Sequence, residues 1–169
     1  MRRVSEQSLA NAAVFDLRRY SASRKRLEEV LLRKVKRVLR EKGDKAGTLD
    51  EAKPLIAAVV ERMVNAGYLD DQKLAEMKAA SLHRQGKSAR MIQLKLRQKG
   101  LSAALVAENS KSTPESELEA ARTMAKKKKL GVHGPEATRE ERRRKELGVL
   151  VRAGFSFDVA KRALLAVVD

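Results

Sequence analysis

The chain has 169 residues, with 38 Lys or Arg against 22 Asp or Glu and a formal charge of +16. That length fits one domain or a short array of small units, and 36% charge with 3% aromatics and no tryptophan argues against a single large core. The absence of cysteine excludes disulfides and thiolate zinc sites, and no apolar stretch approaches the roughly 18–20 residues needed to span a bilayer, so the expectation is a cytoplasmic protein with no membrane role.

The basic excess is spread along the chain, at +7 over residues 1–67, +5 over 68–113 and +4 over 114–169. Such a balance points to a polyanion, with nucleic acid first and an anionic protein groove or membrane surface behind it. Alanine, leucine and the long charged residues favour helix. No run of alternating β-branched residues reads as a strand. The class is all-α.

In chain order, LRRYSASRKRLEEVL (Leu17–Leu31) reads as a helix end, a short serine-containing basic break and a new amphipathic helix. That helix continues through LREKGDK to a stop at Gly43. After the GDKAGT loop, Thr48 and Glu51 fit a capping box. Pro54 is expected within the first turn or so, where proline is tolerated. Leu55, Ile56, Val59, Val60, Met63 and Val64 then give the cleanest amphipathic helix of the chain.

Gly67 ends that helix, Tyr68 and Leu69 are expected to pack at the junction, and an aspartate, Asp70 or Asp71, caps the next helix. LHRQGKSARMIQLKL (Leu82–Leu96) lies over Leu17–Leu31 with the same grammar, the first copy running about eight residues longer before its glycine. Ala89, Ile92 and Leu96 form a stripe with Arg90 and Arg97 beside it. Gly100 stops the helix, Ser102 caps its successor, and Leu101 and Val106 stand at hydrophobic-staple spacing.

The third copy runs through ELEAARTMAKKKKLGVHGPEATREERRRKELGVLV, with GVHGP as its break. Leu147, Leu150 and Val151 make the stripe, Gly154 the stop, Phe155 the residue before the cap and Ser156 the cap. Ala160, Ala163, Leu164 and Val167 supply the last buried face. The stops Gly43, Gly100 and Gly154 are 57 and 54 residues apart. The expected architecture is an elongated array of three tandem three-helix repeats, 1–67, 68–113 and 114–169, each only marginally stable without its neighbour.

From Met77 to Ala107 there is no acid among 31 residues, against seven cations: Lys78, Arg84, Lys87, Arg90, Lys95, Arg97 and Lys99. A solvated face normally mixes signs, so this stretch is the leading surface for phosphates or an acidic groove. Arg18, Arg19, Arg24, Lys25 and Arg26 are its counterpart in the first repeat. The run Lys126–Lys129 reads equally as phosphate contact or as a solubilising face, and ERRRKE (Glu141–Glu146) as i, i+4 pairing on an exposed helix. Gly67, Tyr68, Leu69, Asp70, Asp71, Gly100 and Gly154 are read as structural.

His83 reads as a polar member of the basic face and His133 as a loop residue, neither with a partner at metal-ligand spacing. No P-loop, G-x-G-x-x-G, nucleophile elbow or HExxH occurs. Glu115, Glu117 and Glu119 alternate along a helix and point to different faces. The expectation is a protein without catalysis, cofactor or metal.

Asn65–Ser102 resembles the RecX family of RecA regulators, in Gly-Tyr-Leu-Asp-Asp (Gly67–Asp71), in the basic break Arg84-Gln85-Gly86, and in the Ile-x-x-x-Leu to Lys-Gly-Leu-Ser segment (Ile92–Ser102). The closing Arg152–Val159 is similar to the family's C-terminal turn, so the resemblance covers essentially the whole chain. The sequence departs at Lys87-Ser88-Ala89, where the family often has an aromatic, Gly and Pro, at Leu74 and Met77 where aromatics are common, and at the polar Asn109–Pro114. The resemblance implies a non-enzymatic modulator that binds along the groove of the RecA filament on single-stranded DNA and suppresses ATP hydrolysis, strand exchange and co-protease activity. Its implied partners are the RecA filament and DNA, single-stranded or duplex, with a monomer as the default. A general basic helical nucleic-acid binder that coats DNA is the alternative, and composition alone does not separate the two.

Overall fold

A computed structural model describes residues 4–42 and 47–165. The expected stop at Gly43 and the expected apolar contribution of Val167 lie outside the described residues. Every regular element among the described residues is helical, and the chain divides into two compact units, residues 1–74 with 99–101, and residues 75–98 with 102–169.

The first unit contains α1 (Glu6–Leu17), α2 (Arg24–Lys42) and α3 (Leu49–Asn65). Leu27, Leu31 and Val35 repeat every four residues along α2 and are at most 1% exposed. They meet Leu9, Ala10 and Ala13 of α1 and Ala52, Ile56, Val59, Val60 and Met63 of α3 in one aliphatic cluster. Each fully buried leucine there contributes about 1.5–3 kcal/mol relative to an exposed one. The Thr48 hydroxyl accepts from the Glu51 amide at 3.3 Å while the Glu51 carboxylate accepts from the Thr48 amide at 2.9 Å, the reciprocal pair that starts α3. In the same first turn, the hydrogen bond from the Lys53 ammonium holds the Asp50 carboxyl below its ordinary value, its charge adding to the effect.

Pro54 sits deeper than expected. It is the sixth residue of α3, beyond the orphan amides of the first turn, so it removes a ladder donor rather than a free one. Gly67 ends α3 with φ +75°, and the Tyr68 amide closes back on the Met63 carbonyl at 2.9 Å. Tyr68 itself does not pack at the junction: it is 55% exposed, while Leu69 is buried at 3%. The reversal after a left-handed glycine turns consecutive side chains to opposite sides, and only one can face the cluster.

The second unit takes most of α4 (Asp71–Arg84), all of α5 (Ala89–Gln98) and α6 (Ala103–Asn109), then α7 (Pro114–Lys128), α8 (Arg139–Arg152) and α9 (Phe157–Leu164). Ser102 and Ser156 cap α6 and α9 through the amides of Leu105 and Val159, at 3.3 and 3.2 Å. Leu101 and Val106, read as a staple, are both buried. α7 and α9 meet through small residues, Ala120, Ala121, Ala160 and Ala163, flanked by Leu118, Met124, Val159 and Leu164. At the start of α7 the Glu115 carboxyl is held below its usual value by its own backbone amide and by the Thr113 hydroxyl.

Two expectations for α8 change. Val151 is 40% exposed and leaves the stripe to Leu150, which is fully buried, and to the half-buried Leu147. Glu146, expected on a solvated face, is 6% exposed. One of its carboxylate oxygens accepts from the Gly131 amide at 2.8 Å, and the other pairs with the Arg142 guanidinium. Arg142 also donates to the Thr138 hydroxyl and the Pro135 carbonyl, at 2.9 and 2.7 Å. The i, i+4 pair is present, but it staples the GVHGP break onto α8 from inside rather than decorating a surface.

Candidate interface for an anionic partner

Two serines organise the ground on which the basic residues stand. Ser23 and Ser88 are both 0% exposed and occupy equivalent positions, 65 residues apart, in the two segments read as copies. The Ser23 hydroxyl oxygen accepts from the Arg26 amide at 3.2 Å and so starts α2, while its proton goes to the Lys99 carbonyl. Ser88 repeats this, accepting from the Met91 amide at 3.3 Å and donating to the Ala153 carbonyl at 2.7 Å.

The next residue repeats as well. The Arg24 amide donates to Asp71 at 2.9 Å, and the Ala89 amide donates to Glu117 at 2.7 Å. A serine-capped helix start is thus held twice by the same pair of long-range bonds.

This explains the glycines better than the turn alone does. Gly100 and Gly154 directly follow the two accepting carbonyls, with φ of +76° and +98°. A β-carbon on Gly100 would lie 3.1 Å from the Lys25 β-carbon, and one on Gly154 would lie 2.5 Å from the Ser88 hydroxyl oxygen. Each stop needs glycine for the left-handed backbone and for room against a serine-capped helix start. Lys25 and Lys99, from different copies, are thereby brought to one place in the first unit.

The remaining cations divide by whether an acid holds them. Arg24 bonds Glu61 at 2.5 Å, Arg26 lies 3.8 Å from Glu29, and Arg62 lies 3.8 Å from Glu6. Along α8 and α9, Arg139, Arg142, Arg143 and Arg162 each face a Glu or Asp. Among the described residues, Arg84, Lys87, Arg90, Lys95, Arg97 and Lys99 make no ion pair, and neither do Arg18, Arg19 or Lys25.

Of these, Arg84, Arg90, Lys95, Arg97 and Lys99 are exposed, and Lys87 is half-buried. Arg90, Leu94 and Arg97 fall at i, i+4 and i+7 on the outer face of α5, opposite the buried Ile92 and Leu96. Uncompensated cations on a helix that buries its other face are available to phosphate or carboxylate at no cost in broken internal pairs.

The structural motif separates into distinct tasks. Asp70 caps α4 by accepting from the Lys73 amide at 2.9 Å, whereas Asp71 reaches across to Arg24. His83 is an exposed residue of α4, and His133 closes the 3-10 turn Gly131–His133. Lys127 of the lysine run reaches the Arg84 carbonyl at 3.4 Å, at the end of α4. Glu117, read as one of three alternating acids, bonds the Ala89 amide and the Ser112 hydroxyl. The described residues hold no group of three or more potential metal ligands, and none of their helices is long and apolar enough to cross a membrane.

Residues 70–108 match the family described as RecX, second three-helix domain, a span that takes in α4, α5 and most of α6. The chain is 44% identical over 166 residues to the regulatory protein RecX of Myxococcus xanthus (strain DK1622), covering 96% of this chain and 87% of that one. It is 29% identical to the regulatory protein RecX of Agrobacterium fabrum over 158 residues, covering 91% and 80%. The crystal structure of RecX from Lactobacillus salivarius superposes with a TM-score of 0.63 over 94% of each chain at 19% identity, which speaks to the fold.

Proposed function

The chain belongs to the RecX family of regulatory proteins, and from that premise we propose that it regulates the RecA filament on single-stranded DNA without catalysing a reaction, suppressing its ATPase, strand-exchange and co-protease activities. Family membership over nearly the full chain is the observation that carries this reading. The working segmentation is three tandem three-helix repeats, 1–67, 68–113 and 114–169, with α4–α6 as the middle one.

The chemistry supports an anionic partner. The acid-free stretch Met77–Ala107 carries cations that make no ion pair among the described residues, on helices whose opposite faces are buried. Arg84, Lys87, Arg90, Lys95, Arg97 and Lys99 are the proposed contacts there, and Arg18, Arg19 and Lys25 those of the first repeat. Arg24 is a weaker candidate, since its guanidinium is already held by Glu61. The protein acts as a monomer in the cytoplasm, with RecA as its directed target and DNA phosphates as auxiliary contacts.

The same unpaired cations favour a second reading, in which the protein coats DNA and excludes the recombinase by competition. Titration against RecA ATPase on single-stranded DNA separates the two. A filament regulator inhibits well below one protein per recombinase. A coating protein inhibits only when the DNA is saturated and loses the effect in moderate salt, because phosphate contacts weaken log affinity by about 0.7 per contact per log unit of salt.

A further inference from the structure

Four of the five aromatic side chains of this protein stand in solvent. Phe15, Tyr20, Tyr68 and Phe157 are 64, 66, 55 and 63% exposed, and Phe155 alone is buried, at 3%. Both cores are built almost wholly from aliphatic residues. An aromatic ring normally brings the largest apolar surface to a core, so rings left outside an aliphatic core call for a different explanation.

Two of them lie five residues apart at the end of α1 in the first unit. Phe15 lies in the last turn of α1, and Tyr20 in the connection from α1 to α2. The amides of Arg19 and Tyr20 both donate to the Asp16 carbonyl at 3.0 Å, so the chain stays wound past Leu17. Tyr20 therefore remains about a turn and a half from Phe15 along the axis and about 140° around it, so the two rings flank the end of α1. The Arg19 guanidinium carbon sits 4.9 Å from the centre of the Phe15 ring, within the range of a cation–π contact. Even with that cation over it, Phe15 keeps most of its surface free.

Charge decides which partner suits these rings. Between Phe15 and Leu27 there are five cations and a single acid, Asp16. Arg24 and Arg26 are taken by Glu61 and Glu29, which leaves Arg18, Arg19 and Lys25 free of ion pairs among the described residues. A duplex would satisfy the cations and hide its base faces, and an acidic peptide would satisfy the cations without using the exposed rings. A single strand offers phosphates and flat unpaired bases together, and bases stack on aromatic rings and on guanidinium planes.

We propose that Phe15, Arg19 and Tyr20 form a stacking platform for the unpaired bases of single-stranded nucleic acid, with Arg18 and Lys25 holding the flanking phosphates. This deepens the DNA-contacting part of the function above and rests on it. The site reads base faces rather than sequence, so it takes any unstructured strand and discriminates against a backbone that lacks bases.

The test compares binding of the full chain to a labelled oligothymidylate and to an abasic oligonucleotide of equal length and charge, by fluorescence anisotropy at one salt concentration. The wild type should bind the thymidylate about tenfold more tightly, the scale expected of a stacked base. Phe15→Leu with Tyr20→Leu should erase that preference while leaving abasic affinity unchanged, and Tyr20→Phe should retain it. Circular dichroism checks that the double variant keeps its helices, as the exposure of both rings leads one to expect.

Equal binding of the two oligonucleotides by the wild type overturns the proposal, and so does a preference that survives in the double variant. In either case inhibition of RecA ATPase at substoichiometric ratios leaves the regulatory reading standing. Base preference without any such inhibition overturns that reading and keeps the platform.

Discussion

Removing one hydroxyl tests the repeated junction most directly. In Ser88→Ala, α5 loses its cap to the Met91 amide, worth about 1 kcal/mol, and the Ala153 carbonyl loses a donor in a site where Ser88 is 0% exposed. Stranding a buried acceptor costs about 1–3 kcal/mol, so the expected loss is about 2–4 kcal/mol. Gly154→Ala pays a left-handed penalty of about 1–2 kcal/mol and also forces a methyl group to 2.5 Å from the Ser88 oxygen. With that oxygen gone the sharpest collision disappears, leaving the backbone penalty and a tight 3.3 Å approach to the Arg90 β-carbon. The double variant should therefore be less destabilised than the sum of the single ones, by at least about 1 kcal/mol.

The assay is urea unfolding followed by far-ultraviolet circular dichroism, with amide exchange at Met91 to localise the effect. A loss under about 0.5 kcal/mol for Ser88→Ala, or strict additivity in the double variant, would refute the reasoning. Ser23→Ala should cost a similar amount, because Ser23 makes the same pair of bonds. A clear inequality between the two serines would break the claim that the junctions are equivalent.

Charge reversal at Arg90, Arg97 and Lys99 should leave helicity intact and weaken binding to single-stranded DNA. It should also flatten the salt dependence by about two units in log–log slope, at about 0.7 per lost contact; an unchanged slope removes these residues from the phosphate surface. Leu96→Asp places a charge where the side chain is 0% exposed, and the expected outcome is unfolding of α4–α6, seen as lost ellipticity. Glu146→Ala leaves the buried Gly131 amide without its acceptor and Arg142 without its carboxylate, though still bonded to Thr138 and Pro135, costing about 1–3 kcal/mol. Glu146→Gln keeps an acceptor and should recover part of that in thermal unfolding, and equal losses would mean the carboxylate is not bonded as described.

Most helix starts and stops among the described residues were legible in the residues. Thr48 with Glu51, Ser102, Ser156, Gly67, Gly100 and the stripe Ile92–Leu96 each act over three to five positions, and a helix start or stop is decided at that range. At Ser23 and Ser88, which the overlay of Leu17–Leu31 on Leu82–Leu96 aligns, each hydroxyl accepts from the amide three residues on and donates to the carbonyl just before a glycine.

Tertiary structure decided what the same residues do at long range. Ser23 meets Lys99 and Ser88 meets Ala153 across 76 and 65 positions, and no local spacing encodes which carbonyl a hydroxyl will find. Glu146 carries the i, i+4 signature of a surface pair, yet the GVHGP break folds over it, because an amide at Gly131 needs an acceptor once buried. Arg24 and Arg90 look alike in a basic run, and only packing gives the first an acid and leaves the second without an ion pair among the described residues. Likewise Phe15 and Phe155 are the same residue type, and the choice of which enters the core belongs to the fold: periodicity marks a face, whereas burial depends on what another part of the chain brings against it.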